Sequence, residues 1–396
     1  MHELVWFLLP LAALGGWYAA RRGGHGLNAS KNTVPDSEYL RGLNYLLNEQ
    51  HDKAIDVFVG LIDVTDETVE THLALGNLFR KRGEVDRAIR IHRHLSAKDS
   101  LNRRQRSDAR LELGRDYQSA GLLDRAEDQF AGLLRDGEHV DRVLPLLLDI
   151  YQLEKDWESA LRTAARMQQI GDPPTAAIMA QFFCEMAENA REQDEVDKAR
   201  GLLGQALDVY PRCARASLLL GNIERKIGDF EAALTAYSRV GRQDPDRLPE
   251  VLGHMYACHR ETGDIDRMIE YLRQCISQHN DIAPVTMLAD ILVDEHRRDE
   301  ACECIERALV SHPSLRALAK FVEFRLTVCQ SGDREGLIMI RDLIKHLQKD
   351  KPAYTCHTCG FTGKTLYWQC PGCRRWDSVR PVRNGGATRD MTTEQL

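Results

Sequence analysis

The 396-residue chain lacks the short signatures by which an enzyme can be read from sequence. There is no nucleophile elbow, no glycine-rich dinucleotide fingerprint, no His-Glu-x-x-His helix and no pair of carboxylates in a recognisable context. These absences weigh against catalysis. Gly363-Lys364-Thr365 resembles the end of a phosphate-binding loop, but Thr358 stands where that loop needs its first glycine. His254 and His259 are five apart and miss the i, i+4 spacing of a helical metal site. Cys302 and Cys304 are two apart and do not share a helix face. An overall excess of positive charge is also missing. With 53 Lys and Arg against 60 Asp and Glu, the net charge of −7 argues against nucleic acid as the main partner, and only the C-terminal end departs from that balance. Seven cysteines, at 184, 213, 258, 275, 302, 304 and 329, lie along helical stretches without the spacing of a disulfide framework, so a reducing compartment is expected. Disorder of the whole chain is excluded by 43% apolar and 29% charged residues.

The remaining four cysteines carry the strongest chemical signal. Cys356-His357-Thr358-Cys359 is followed, ten residues later, by Cys370-Pro371-Gly372-Cys373. One tight Cys-x-x-Cys turn presents two thiolates to one ion, and a second turn completes a tetrahedron. Cys356, Cys359, Cys370 and Cys373 are therefore the candidate metal ligands. A site closed by four protein sulfurs leaves no position for water or substrate, so it holds structure or carries electrons. Sulfur-only coordination suits iron or zinc. Tyr354, Phe361, Tyr367, Trp368 and Trp376 crowd the same segment and are expected to pack over the ion and against the last helices. Arg374, Arg375, Arg380, Arg383 and Arg389 make the end basic, and residues 384–396 read as disordered.

At the other end, Leu4 to Ala20 carries no charged side chain. At about 1.5 Å per residue such a run spans roughly 25 Å, at the short end for a membrane helix. His2-Glu3 precede it and Arg21-Arg22 follow it, the reverse of a secretory signal's charge. Residues 1–22 thus read as an uncleaved transmembrane anchor with the bulk of the chain on the cytoplasmic side. A Gly-, Asn- and Ser-rich linker follows over residues 23–36.

Between the ends runs a repeat. Ala54, Ala88, Ala126, Ala160, Ala199, Ala233, Met268 and Ala301 recur in matching contexts at intervals of 34, 38, 34, 39, 34, 35 and 33 residues. A period near 34 with helix-turn-helix character is the tetratricopeptide signature. The internal grammar agrees: Leu75-Gly76, Phe79, Gly83, Ala88 recurs as Leu113-Gly114, Tyr117, Gly121, Ala126 and as Leu220-Gly221, Gly228, Ala233. Pro211, Pro245 and Pro313 punctuate the repeats, and the extra residues around Leu101–Ser107 and Gly171–Pro174 are expected as lengthened turns. The expected fold is all-α, with about eight tetratricopeptide repeats over residues 37–347 forming a superhelix. A small four-cysteine domain follows over residues 348–383. Stacked helix pairs share one core and leave a groove for peptides or protein surfaces, so binding is the default role of the array.

Three segments together, namely the anchor ending in Arg21-Arg22, the repeats with Leu75-Gly76-Asn77-Leu78-Phe79-Arg80, Arg87-Ala88-Ile89-Arg90-Ile91-His92, Gly114-Arg115-Asp116-Tyr117 and Asp124-Arg125-Ala126-Glu127, and the metal segment with Leu366-Tyr367-Trp368 and Cys370-Pro371, resemble the lipopolysaccharide assembly protein B family over essentially the full length. The resemblance implies a single-pass protein of the bacterial inner membrane whose metal domain is rubredoxin-like on the four cysteines. It implies an adaptor that presents the lipid A pathway deacetylase to a membrane-bound ATP-dependent metalloprotease and works with other envelope assembly proteins. Arg374 departs from the glycine expected after the second knuckle, and the knuckles lie closer together than in a free rubredoxin. No nucleic acid is expected as partner, and homo-oligomerisation is left open. Two other classes stay in play: an electron-transfer protein with iron on the cysteines, and a nucleic-acid-binding zinc ribbon using Arg374, Arg375 and Arg380.

Overall fold

The computed structural model describes residues 37–48, 50, 53, 54, 57, 68–171, 175–278, 281–311, 313–328, 334–349 and 351–382. The expected anchor, the linker and the tail lie outside the described residues. Among the described residues no helix is long and apolar enough to cross a membrane. Contacts divide the chain into two compact units, Met1–Val140 and Asp141–Leu396.

In the first unit, α1 (Ser37–Leu47) precedes two helix pairs: α2 (Val69–Lys81) with α3 (Val85–Ser96), and α4 (Arg103–Ser119) with α5 (Leu123–Asp136). The second unit continues in pairs: α6 (Val140–Glu154) with α7 (Trp157–Gln169), α8 (Thr175–Glu192) with α9 (Val196–Val209), and α10 (Ala214–Ile227) with α11 (Phe230–Gln243). A 3₁₀ turn at Pro245–Arg247 leads to α12 (Leu248–Thr262) with α13 (Ile265–Gln278). Then come α14 (Ile282–Asp294) with α15 (Arg298–Ser311), and α16 (Leu315–Val328) with α17 (Arg334–Lys349). Three strands close the chain: β1 (Tyr354–Cys356), β2 (Thr362–Gly363) and β3 (Val379–Pro381).

The pairing follows from two recurring positions. All eight residues that set the sequence period, Ala54 through Ala301 with Met268 among them, are 0% exposed. A small side chain there lets the second helix of a pair lie close to the first. The turn before that helix needs a left-handed residue two positions ahead of its start. Gly83, Gly121, Gly228 and Gly263 supply it, and Lys155, Asp194 and His296 adopt the same positive φ without being glycine. The pair α16/α17 has Leu337 at the equivalent of the small position, which is why the eight-residue series does not announce it.

A second small position fixes how tightly three of the pairs close. A Cβ on Gly76, Gly114 or Gly221 would come within 2.4, 2.4 and 2.5 Å of the rings of His92, Phe130 and Tyr237 respectively. Each ring is fully buried. For an apolar ring such as Phe130, burial contributes about 1.5–3 kcal/mol, provided the glycine leaves it room. In the first unit a polar network crosses from pair to pair. Arg80 donates to Asp116 (2.7 Å) and Glu112 (2.6 Å), and Asp116 also meets His92 Nδ1 at 2.5 Å.

One expected lengthened turn is helix in part: Leu101 and Asn102 lie in the connection after α3, but the residues that follow do not. The extra residues at Arg103–Ser107 form the first turns of the 17-residue α4. The reason is local: the Asn102 side chain accepts from Gln105 N while the Gln105 side chain accepts from Asn102 N, a capping box that starts the helix early. The expected lengthening at Gly171–Pro174 falls largely outside the described residues. The prolines sit as expected, Pro211 between α9 and α10, Pro245 in the 3₁₀ turn, and Pro313 between α15 and α16.

A candidate metal centre seated on the repeats

The three strands form one antiparallel sheet in the order β2-β1-β3, with Cys356 opposite Val379 and Thr355 opposite both Thr362 and Arg380. Two knuckles hang from it, built alike. In the first, Cys356 O accepts from Gly360 N (3.0 Å) and Cys356 N donates to Phe361 O (2.7 Å). In the second, Cys370 O accepts from Arg374 N (2.8 Å) and Cys370 N donates to Arg375 O (3.0 Å). Both knuckles end on a left-handed residue, Gly360 at φ 75° and Arg374 at φ 58°. Arg374 therefore takes up the backbone shape that glycine would supply, at the cost of some strain.

The four sulfurs of Cys356, Cys359, Cys370 and Cys373 all lie within 4.8 Å of one another. Cys356 and Cys373 are 3.7 Å apart, and Cys359 and Cys370 are 3.6 Å apart. A tetrahedron with metal–sulfur bonds of about 2.3 Å has edges of about 3.8 Å. The spacing thus fits one ion held by four thiolates. Burial opposes charge on Cys356, yet the Ser378 hydroxyl, the Cys359 and Thr358 amides and the Cys370 thiol together outweigh it and pull this thiol down to about 5. Cys359 is exposed. Its amide contact from Phe361 favours the thiolate, but burial and the three neighbouring sulfurs together push it up to about 12. Four like groups so close cannot all ionise without a cation among them. The donor set suits iron or zinc alike.

The ribbon is too small to bury a core unaided. Cys356, Cys370 and Val379 are its buried residues, with Tyr354, Phe361 and Cys373 packed against them. It leans instead on the repeats of the same unit. Its anchoring contacts run to α6, α7, α8, α10, the 3₁₀ turn and α12, rather than to the last helices as expected. Trp376 meets Trp157 and Phe182 with ring centroids 6.1 Å away in each case, and its Nε1 donates to Gln152 (2.8 Å). The Arg215 guanidinium lies 5.7 Å from the Trp368 ring and 5.8 Å from the Trp376 ring. Arg247, 0% exposed, sits 4.8 Å from the Trp368 ring and donates to Asp377 (2.8 Å) and Val379 O (2.7 Å). Arg380 pairs with Asp244, and Tyr354 donates to Glu250 at 2.5 Å. Burial and that carboxylate hold the Tyr354 hydroxyl well above its ordinary pKa. The last pair contributes the charge of Arg316, close enough to act on Tyr354. The middle repeats win because they offer an aromatic socket and two buried cations.

Comparison with known proteins places these features. A family model described as a rubredoxin metal binding domain matches residues 354–381, and tetratricopeptide repeat models match residues 71–104 and 184–247. The chain is 37% identical to lipopolysaccharide assembly protein B of Escherichia coli K12 over 384 residues, covering 97% of this chain and 99% of that protein. It is 32% identical to the protein of the same name from Haemophilus influenzae, again over 97% and 99%. The chain belongs to the lipopolysaccharide assembly protein B family. A solved tetratricopeptide repeat protein from Parabacteroides merdae is 12% identical and covers 70% of this chain and 99% of its own, at a TM-score of 0.32. At that score it adds nothing to the family assignment.

Within this family member, the other residues singled out by sequence take ordinary structural roles. Gly363 is part of β2, between the knuckles. Cys302 and Cys304 are half-buried, and Cys302 donates to Glu306 rather than meeting Cys304. His259 is buried and His254 stacks on Tyr237 at 5.7 Å; burial lowers both pKa values. Of the basic residues near the end, Arg380 is turned inward onto Asp244 and Asp377, which removes it from a nucleic-acid face. Arg383 and Arg389 lie outside the described residues. Sequence reasoning missed Arg215 and Arg247 altogether. Each looks like any surface arginine of a repeat, and only the aromatic ribbon packed onto them makes them part of the site.

Proposed function

We propose that the chain is a membrane-anchored, non-enzymatic adaptor in lipopolysaccharide assembly, which presents the lipid A pathway deacetylase to a membrane-bound ATP-dependent metalloprotease. The observation that carries this reading is the end-to-end match, 97% of this chain on 99% of a protein named for lipopolysaccharide assembly. Support also comes from the architecture. Repeat arrays bind protein surfaces through stacked helices, and the chain shows no catalytic motif. In this reading residues 1–22 are the inner-membrane anchor and residues 23–36 the linker. Residues 37–347 are the binding array, residues 348–383 the metal domain and residues 384–396 the tail. Cys356, Cys359, Cys370 and Cys373 would hold one ion, iron or zinc, whose role is to close the ribbon. Tethering raises the effective concentration of the array toward a membrane protease and lowers the cost of association.

The test is the half-life of the deacetylase in cells before and after depletion of this chain, with the protease present. Marked stabilisation on depletion is expected. An unchanged half-life would overturn the adaptor reading and return attention to electron transfer.

A further inference from the structure

The acidic total hides a local reversal of sign. Between Arg80 and Arg110 stand eleven Lys and Arg, nine of them Arg, against four Asp and Glu. That segment has a surplus of seven positive charges, so the rest of the chain carries −14 within the total of −7. The expectation that only the C-terminal end is basic is thus incomplete. A charge count over a sliding window would have found the segment.

Part of this charge converges in the first unit. Ser96 at the end of α3, Arg103, Arg106, Ser107 and Arg110 in the first turns of α4, and Asp136 at the end of α5 line a hollow of about 320 Å³. Arg103 donates to Asp136 O (2.7 Å) and pairs with Glu138 (2.7 Å), while Arg110 pairs with Asp136 (2.7 Å). These two acids position two guanidinium groups, while Arg106 on the same hollow is exposed, as is Arg104 next to Arg103 in the chain. The surface is made of helix ends, a rim of the array rather than a channel along its helices. Its charge is mostly guanidinium, whose planar fork pairs with phosphate oxygens two at a time.

We propose that this arginine-rich rim seats on the phosphates of anionic phospholipids in the membrane that the anchor enters. The choice of a lipid over a soluble partner rests on the anchor reading above. The fourteen residues 23–36 then separate Arg22 from the start of α1. At about 3.3–3.6 Å per residue they reach no further than roughly 50 Å. The segment from Arg80 to Arg110 lies in the first unit, the one so confined. Each basic residue at an anionic surface contributes about 1 kcal/mol, or about fivefold in affinity.

The test uses the full chain reconstituted into vesicles of phosphatidylcholine alone or with phosphatidylglycerol, reading hydrogen exchange of residues 93–110. Protection is expected only with phosphatidylglycerol, and it should vanish in high salt. In the variant Arg103→Gln/Arg104→Gln/Arg106→Gln it should weaken by about a hundredfold. The variant in which the same three are Lys should keep most of it and serves as the folding control. Equal exchange in both vesicle types overturns the proposal. So does equal protection in phosphatidylcholine vesicles on adding inorganic phosphate or an RNA oligonucleotide, because the partner would then be soluble. Flotation with phosphatidylcholine vesicles tests the anchor separately. Should the chain fail to float, the anchor reading falls, and binding of wild type against triple variant to added phosphatidylglycerol vesicles still decides the rim.

Discussion

Replacing Arg247 by Met keeps most of the side-chain volume and removes the charge that holds the ribbon. The wild-type guanidinium is 0% exposed, lies 4.8 Å from the Trp368 ring, and serves both Asp377 and the Val379 carbonyl. A desolvated cation–π contact contributes about 2 kcal/mol, and breaking a buried ion pair costs about 3–5 kcal/mol. These overlap and do not add. Asp377 is 41% exposed and can rehydrate once its partner is gone, so the lower figure decides. The expected loss is about 3 kcal/mol in docking of the ribbon, a factor of more than a hundred in the docked-to-undocked ratio. Tryptophan emission reads this directly, because three of the five tryptophans, Trp157, Trp368 and Trp376, meet at the interface. In urea, Arg247→Met should shift the emission at a denaturant concentration where the helical circular dichroism still matches wild type. Asp377→Asn should cost less, and the double variant should cost less than the sum of the two. Emission and helical signal moving together at the wild-type midpoint would refute the idea that Arg247 clamps the ribbon.

Gly221→Ala forces a Cβ within 2.5 Å of the buried Tyr237 ring and should cost about 1–3 kcal/mol by urea denaturation. Gly253→Ala, with nothing within 4 Å of the new methyl, should gain up to about 1 kcal/mol from helix propensity. If both variants move stability the same way, the ring-against-glycine account fails. Stripping an ion from the four cysteines with a chelator should undock the ribbon, seen as a red shift of Trp368 and Trp376 emission with the helical signal kept; an unshifted spectrum after chelation would show that the ribbon stands without an ion. Burial holds His259 below its ordinary pKa, so the unfolded chain binds this proton first as pH falls. Stability from this group is therefore present above about pH 6.5 and lost below it. The urea midpoint should fall between pH 7 and pH 5.5, and less so in His259→Gln; an equal fall in both would assign the pH dependence elsewhere.

The repeat and the grouping of the four cysteines were legible in sequence because each depends on local spacing. A small residue every 34 or so positions faces a partner helix, and two Cys-x-x-Cys turns close together in the chain can present four sulfurs to one ion. Arg374 shows where such reading stops short. The sequence shows a residue that disfavours the left-handed turn, yet the second knuckle forms it as the first does, because hydrogen bonds on both sides of Cys370 impose it. The start of α4 failed for the opposite reason, since a capping box turned an apparent insertion into helix.

Which helices receive the ribbon was settled only by the tertiary structure. Trp376 lies 224 residues beyond Gln152 in the chain, and no periodicity within either segment relates them. Trp157, Phe182, Arg215 and Arg247 come from four successive stages of the array, and stacking brings them onto one surface. By itself the sequence determined a helical repeat, a four-sulfur ribbon and the family. Where the ribbon rests depended on non-local packing, in which buried aromatic area and two desolvated cations outweighed the shorter path to the last helices.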